Sequence, residues 1–124
     1  MATILLVDDD QGIHQTYSKL LPMVGHSVMA SAFNGFNAIN TYTRLNPKPD
    51  LVLMDQRMPR MDGITATQKL KHLDPECLII FLSADNKVKR EALAAGAAAF
   101  KTKPLRLKDL LSALRKILKL KKSN

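Results

Sequence analysis

Cysteine, aromatic residues and long apolar segments are scarce in this sequence of 124 residues. Cys77 is the only cysteine, so no disulfide can form within the chain, which is typical of proteins of the reducing cytoplasm. No apolar run approaches the ~20 residues of a membrane-spanning helix, and the N-terminal segment lacks the basic region of a signal peptide. We therefore expect a cytoplasmic protein without a membrane span. Its length fits one domain with a single core.

Acidic residues are nearly missing from the last 24 positions, where Asp109 stands among nine lysines and arginines. The first hundred residues contain ten basic and ten acidic groups, so the formal net charge of +8 belongs to this terminal segment. A basic terminal helix can attract an acidic partner or simply remain solvated. Nucleic-acid binding is an alternative that the sequence does not favour, because it has no recognition motif and few aromatic residues.

Five apolar segments alternate with five segments of helical periodicity, joined by short connections. This alternation predicts an α/β protein with a parallel five-stranded sheet and helices on both faces. The domain is predicted to cover 1–120, followed by a basic tail at 121–124. The predicted strands are 3–7, 27–33, 51–55, 77–82 and 97–101. The predicted helices are 11–23, 86–95 and 105–120, with two others that begin near Phe36 and after Asp62 and end near Asn46 and Asp74.

Residues at the boundaries of these segments have predicted structural roles. Asp10 and Asp62 precede helices and are predicted to be N-caps rather than metal ligands, and Asn34-Gly35 is a turn signal. Cys77 precedes an apolar strand and is predicted to be buried. Periodicity places two sets of residues on the inward faces of the second and third helices: Phe36, Ile39, Tyr42 and Thr43, and Ile64, Thr67, Leu70 and Leu73. The histidines have no ligand spacing and are predicted to be surface or hydrogen-bonded core residues: His14, His26 and His72.

Polar residues with useful chemistry follow four of the five predicted strands: Asp8-Asp9-Asp10, Asp55, Ser83 and Lys103. The carboxyl ends of parallel strands share one edge of the sheet, which is where α/β proteins bind ligands. Carboxylates gathered there repel one another, by about 4 kcal/mol for a pair 4 Å apart at an effective dielectric constant of ~20. An all-oxygen set suits Mg²⁺, or Mn²⁺ in its place. A metal, a lysine and a hydroxyl around one carboxylate are the groups that phosphoryl transfer needs.

The sequence resembles the receiver domains of two-component response regulators over essentially its whole length. The resemblance is carried by four blocks in the family's order: Ile4-Leu5-Leu6-Val7-Asp8-Asp9, then Asp55-Gln56-Arg57-Met58-Pro59-Arg60-Met61-Asp62-Gly63, then Ser83-Ala84, then Lys103-Pro104. The second block is highly specific to this family. The resemblance implies the flavodoxin-like (βα)5 fold, a doubly wound sheet with strand order 2-1-3-4-5.

The same resemblance implies a role for each matching residue around the acceptor. Asp55 corresponds to the phosphoacceptor. Asp9 would bind Mg²⁺ directly, Asp8 mainly through water, and the Arg57 backbone carbonyl would be a further ligand. The Arg57 side chain occupies a position that varies in the family, where a cation could shield the phosphoryl group from water.

Other matching positions imply how the phosphoryl group is held and sensed. Ser83 and the Ala84 amide would bind phosphoryl oxygens, and Lys103 would pair with one of them. The Lys103-Pro104 peptide bond would be cis. Phe100 corresponds to the aromatic residue that swings inward when the hydroxyl residue moves toward the phosphoryl group.

The function implied is that of a phosphoacceptor signalling domain, either a stand-alone regulator or one excised from a longer chain. A histidine kinase or histidine phosphotransfer protein would supply the phosphoryl group. A downstream protein, with an acidic surface, would recognise the fourth helix, fifth strand and fifth helix. The domain would act on no substrate other than itself and would be a monomer or a weak, phosphorylation-dependent dimer. The alternative is a phosphatase of the haloacid dehalogenase type with Asp8 as nucleophile, which would leave the Asp55 motif unexplained.

Overall fold

Five strands form one parallel sheet in the computed structural model, which describes residues 2–104 and 106–122, without the side chains of 120–122. The strand order is β2-β1-β3-β4-β5, so the predicted flavodoxin-like fold is confirmed. The most buried strands are the apolar ones at the centre, because a parallel sheet is covered on both faces. The strands are β1 Thr3–Val7, β2 Ser27–Ala32, β3 Leu51–Asp55, β4 Ile79–Ser83 and β5 Ala99–Thr102.

Five α-helices connect and follow these strands: α1 Gln11–Leu20, α2 Gly35–Arg44, α3 Gly63–Leu73, α4 Lys89–Ala94 and α5 Leu107–Lys122. Short 3-10 helices extend the connections at Pro22–Val24 and Asn86–Val88. The predicted start of the last helix at Leu105 lies outside the described residues. The helix continues to Lys122, so half of the predicted tail is helical, and Ser123 and Asn124 also lie outside the described residues. No helix in the described part of the chain is long and apolar enough to cross a membrane.

Side-chain caps start the first three helices. Asp10 accepts a hydrogen bond from the Gly12 amide at 2.8 Å, and Asp62 accepts one from the Thr65 amide at 2.9 Å, so both predicted N-caps are confirmed. The predicted turn at Asn34-Gly35 is seen as a bend at Phe33 and Asn34, directly before Gly35 begins α2. Asn34 is the N-cap of α2, and its side chain accepts from the Asn37 amide at 2.8 Å. Asn serves both purposes, because its short side chain binds nearby backbone amides in turns and at helix starts.

Two hydrophobic cores lie on opposite faces of the sheet. Alternate residues of β1 and β3 point into different cores, as the period of a strand requires. One core combines Leu5, Val7, Val52 and Met54 with residues of α2, α3 and α4, and it also buries Cys77 as predicted. The other combines Ile4, Leu6, Leu51 and Leu53 with the inner side of α5 and with Tyr17 of α1.

The inward faces of α2 and α3 differ from the prediction. Phe36 and Leu73 were predicted to be buried but are 44% and 59% exposed, and Thr43 is also exposed. Small residues form most of the contact with the sheet instead: Gly35 and Ala38 with Tyr42 on α2, and Gly63, Ala66 and Thr67 with Leu70 on α3. Periodicity identifies a helical stripe, but the side of a broad stripe that meets the sheet depends on how closely the helix can approach it.

The two leucines of α3 provide a matched test of this packing. Leu70→Ala should lower the free energy of unfolding by about 2–5 kcal/mol, because it opens a cavity in a fully buried position. Leu73→Ala should change it by less than about 0.5 kcal/mol, because the side chain is largely exposed already. If denaturant unfolding shows that both variants lose the same free energy of unfolding, the observed orientation of α3 is contradicted.

Candidate functional site

The carboxyl ends of the strands bring the predicted site residues together. Asp8 and Asp9 follow β1, Asp55 ends β3, Ser83 ends β4 and Lys103 follows β5. They line one cavity of about 370 Å³, together with Asp10, Ile13, Arg57 and Ala84. Thus residues separated by up to 95 positions in the sequence share one site.

Lys103 joins the two buried carboxylates of this cavity. Its Nζ lies 2.9 Å from Asp55 Oδ1 and 3.0 Å from Asp8 Oδ2. Burial disfavours the charged ammonium group, but the hydrogen bonds to both carboxylates outweigh this effect and raise the pKa of Lys103. The lysine is therefore a fixed positive charge between Asp8 and Asp55.

The positive charge of Lys103 does not fully offset the burial of Asp55 and the negative charges near it. Burial raises the pKa of its carboxyl group, the hydrogen bond from Lys103 opposes that shift, and the negative charges of Asp8 and Asp9 reinforce it. The net result is a pKa above the usual value for aspartate. An ionised Asp55 thus lies in a cavity with a surplus of negative charge.

Three carboxylates form a cluster that could hold a metal ion. Asp8, Asp9 and Asp55 each offer one oxygen, and these atoms all lie within 4.8 Å of one another. Asp9 is exposed, whereas Asp8 and Asp55 are buried. A small, oxygen-only set with one side open to solvent fits Mg²⁺, which binds one or two carboxylates and keeps several waters. The side chain of Asp10 caps α1 instead.

Backbone hydrogen bonds hold the far side of the cavity. The Lys103 amide donates to the Ser83 carbonyl oxygen at 2.9 Å, and the Asp85 amide donates to Ser83 Oγ at 3.1 Å. Ala84, between them, is exposed and lines the cavity. The Lys103-Pro104 peptide bond is cis, as the resemblance implied.

Comparison with known proteins identifies the family. The family model for the response regulator receiver domain matches residues 4–115. The chain belongs to this family.

Individual relatives agree with this assignment. The chain is 38% identical over 117 residues to the chemotaxis protein CheY of Bacillus subtilis, and the aligned residues cover 93% of this chain and 96% of the relative. It is 32% identical over 120 residues to the sporulation initiation phosphotransferase F of the same organism, covering 95% and 94%.

Solved structures show the same fold. A response regulator receiver domain protein from Clostridium thermocellum superimposes with a TM-score of 0.90 at 27% identity, covering 98% of both chains. A chain of the CheX–CheY complex with BeF3 and magnesium from Borrelia burgdorferi gives a TM-score of 0.88 at 27% identity, covering 94% of this chain and 88% of the other. The protein is thus a receiver domain, a phosphoacceptor signalling domain, and the dehalogenase-type phosphatase alternative is set aside.

Phe100 lies beside the site of this receiver domain rather than in it. The residue belongs to β5, is half-buried, and stacks on Phe81 of β4 with ring centroids 6.0 Å apart and an interplanar angle of 16°. Both rings belong to the core on the α2, α3 and α4 side of the sheet. A movement of Phe100 would therefore change the packing of that core.

Gly63 has a role that the sequence analysis did not assign. A Cβ atom at this position would overlap the backbone carbonyl of Asp55. The Gly63 amide also donates to the Gln56 carbonyl at 3.0 Å, and the Gln56 side chain accepts from the Ile64 amide at 3.0 Å. The connection after β3 thus folds back directly against Asp55. The Asp-Gly pair in the sequence was the available signal.

His14 is a hydrogen-bonded core residue, as predicted, but its contact with Asp8 was not predicted. Its Nε2 lies 2.7 Å from the Asp8 backbone oxygen, and the ring is buried. The two residues are six positions apart, a separation that matches no known ligand spacing, so no signal in the sequence pointed to this contact.

Removing the charge of Asp55 should stabilise the metal-free receiver domain. A carboxyl group whose folded pKa is raised contributes stability below its unfolded pKa, and this contribution is lost as the pH rises through the folded pKa. Asp55→Asn avoids that loss, so its melting temperature in EDTA at pH 7 should exceed that of the wild type by a few degrees. The difference should shrink as the pH is lowered below the pKa of Asp55. A variant less stable than the wild type at pH 7 would contradict this account.

Proposed function

We propose that Asp55 accepts a phosphoryl group from a phosphohistidine, with a divalent cation, Mg²⁺ or Mn²⁺, held by Asp8, Asp9 and Asp55. The observation that carries the proposal is the position of Asp55. It is the last residue of a buried strand, faces a cavity open to solvent, and is bridged by Lys103 to a second carboxylate. The Arg57 carbonyl is proposed as a further metal ligand, since Arg57 also lines this cavity.

The transfer requires a nucleophile and positive charge close to the phosphoryl oxygens. A carboxylate oxygen of Asp55 attacks the phosphorus atom, the phosphorus–nitrogen bond of the phosphohistidine breaks, and its electron pair stays on the imidazole. Lys103 lies 2.9 Å from Asp55, which supports the proposal that it pairs with a phosphoryl oxygen. A divalent cation held by Asp8, Asp9 and Asp55 would supply further charge neutralisation at the phosphoryl oxygens. The domain is then its own substrate, for phosphorylation and for dephosphorylation.

Ser83 and Phe100 are proposed as the residues that report phosphorylation. Ser83 is buried at the end of β4 and accepts a hydrogen bond from Asp85. A move of its hydroxyl toward a phosphoryl group on Asp55 would break that bond and shift the connection between β4 and α4. The Ala84 amide would bind a second phosphoryl oxygen. Phe100, stacked on Phe81 in the neighbouring strand, would take up the space that this shift opens.

The phosphoryl donor is proposed to be a histidine kinase or a histidine phosphotransfer protein, and the cytoplasm is proposed as the compartment because the one cysteine is free and buried. A monomer suits this role, with at most a weak dimer after phosphorylation. The target is proposed to be a protein with an acidic surface. The outer side of α5 supports this, since Lys108, Arg115 and Lys116 are all exposed there, and charge complementarity steers association.

Phosphorylation at Asp55 can be measured directly. Incubation with Mg²⁺ and acetyl phosphate should add the mass of one phosphoryl group to the intact protein, and Asp55→Asn should abolish the addition. Asp62→Asn is the matched control, because Asp62 lies on the same connection and Asn also caps a helix. This control should be labelled like the wild type. Labelling of the Asp55→Asn variant would place the acceptor elsewhere.

Coupling between Asp55 and the surface formed by α4, β5 and α5 can be followed by NMR with beryllofluoride, a mimic of the phosphoryl group. In the presence of Mg²⁺, the amides around Asp55, in the connection after β4 and in β5 should shift in the wild type. Ser83→Ala should keep the shifts around Asp55 and reduce those around Phe100, because the hydroxyl that links them is gone. The exposed Ser18 provides a control, Ser18→Ala, that should behave as the wild type. Full shifts around Phe100 in Ser83→Ala would exclude the hydroxyl as the link.

A further inference from the structure

His14 is a buried residue of α1 that the proposed chemistry does not use. It is 5% exposed, and its Nε2 lies 2.7 Å from the backbone oxygen of Asp8. A carbonyl oxygen only accepts hydrogen bonds, so Nε2 carries the hydrogen and donates it. The ring also packs on Phe33, which follows β2, with centroids 4.1 Å apart and a tilt of 33°. His14 thus connects α1 with the ends of β1 and β2.

Asp8 is held at each of its four polar groups. Its amide donates to the Ala32 carbonyl at 3.1 Å, and its backbone oxygen accepts from His14. Its Oδ1 accepts from the Asp10 amide at 2.9 Å, and its Oδ2 accepts from Lys103 at 3.0 Å. The bond from His14 links the main chain at Asp8 to the body of α1.

The acidic connection needs such a link because it presents two carboxylates to one cation. Asp8 and Asp9 are consecutive residues between a strand and a helix, and both must face Asp55 for their oxygens to lie within 4.8 Å of one another. Groups that orient metal ligands from behind change metal affinity by about 10–100-fold when they are removed. A carbonyl released at Asp8 would let the adjacent Asp9 peptide rotate and move both carboxylates.

Packing alone does not explain a histidine at this position. The ring's Nδ1 is buried and has no hydrogen-bond partner among the described residues. A buried polar atom left unpaired lowers stability, and an apolar side chain of similar size would avoid that loss. What histidine adds over an apolar residue is the donor that reaches Asp8.

We propose that His14 is a positioning residue for the cation site, which holds Asp8 and Asp9 toward Asp55 through its bond to the Asp8 carbonyl and so sets the affinity for a divalent cation. The inference rests on the proposed function, since the cation is the one that phosphorylation of Asp55 requires. His14 itself touches neither the cation nor the phosphoryl group. It acts on the ligands alone.

The test is a Mg²⁺ titration of metal-free protein by isothermal titration calorimetry. His14→Met should weaken Mg²⁺ binding about 10-fold, and His14→Gln should recover part of the loss, because its side-chain amide can donate to the same carbonyl. Asp9→Ala is the positive control and should remove most of the binding. If the titration of the wild-type protein detects no Mg²⁺ binding, the proposed function is overturned as well.

His26 supplies the matched control for a purely structural effect. Its Nδ1 accepts a hydrogen bond from the Ala2 amide at 3.0 Å, at the opposite end of β1. His26→Met also removes one histidine–backbone bond to this strand, so it should lower the melting temperature but leave the Mg²⁺ dissociation constant unchanged. If His14→Met and His26→Met bind Mg²⁺ equally well, the inference about His14 is wrong while the proposed function stands.

Two measurements keep the inference testable if His14→Met does not fold. The ring nitrogen shifts of His14 in the wild type should show a proton on Nε2, and an Nδ1–H tautomer would overturn the inference. Hydrogen exchange at the Asp10 amide, bonded to the Asp8 side chain, should be faster in His14→Gln than in wild type without metal. Unchanged exchange there would show that His14 does not order the acidic connection.

Discussion

The ammonium group of Lys103 between Asp8 and Asp55 is the interaction on which this site depends. Two buried carboxylates and the neighbouring Asp9 bring three negative charges to one edge of the sheet, and one lysine supplies a single positive charge. Breaking a buried ion pair by removing one partner is costly, because it leaves an uncompensated charge in a low-dielectric environment. The remaining negative charge favours the binding of a cation in this cavity, where three carboxylates could hold a metal ion.

The sheet topology makes this interaction possible. β1 and β3 are neighbours, and Val7 pairs with Met54, so the next residues, Asp8 just after β1 and Asp55 at the end of β3, lie side by side. Lys103 follows β5, at the edge of the sheet, and reaches across the end of β4. Its amide is held by the Ser83 carbonyl, which aims the side chain at the carboxylates.

Residues without chemistry of their own complete the site. Gly63 allows the connection after β3 to turn back against the Asp55 carbonyl. His14 and Phe33 support the other side, beneath the two consecutive aspartates. Glycine at position 63 and histidine at position 14 bury less apolar surface than larger apolar residues would, but they hold the backbone of the site in position. Such local departures from good packing are expected where a site must be held in place.

The sequence by itself determined the strands, the family motif and most helix caps, because these depend on residues close together in the chain. An apolar run that ends in an aspartate, or an aspartate three residues before a helical amide, can be recognised locally. The tertiary structure alone decided that Phe36 and Leu73 are exposed and that His14 reaches Asp8. It also decided that one lysine binds two carboxylates. These features arise when separate elements pack together, since helix approach and hydrogen-bond geometry are set by the assembled sheet and its helices rather than by any local pattern.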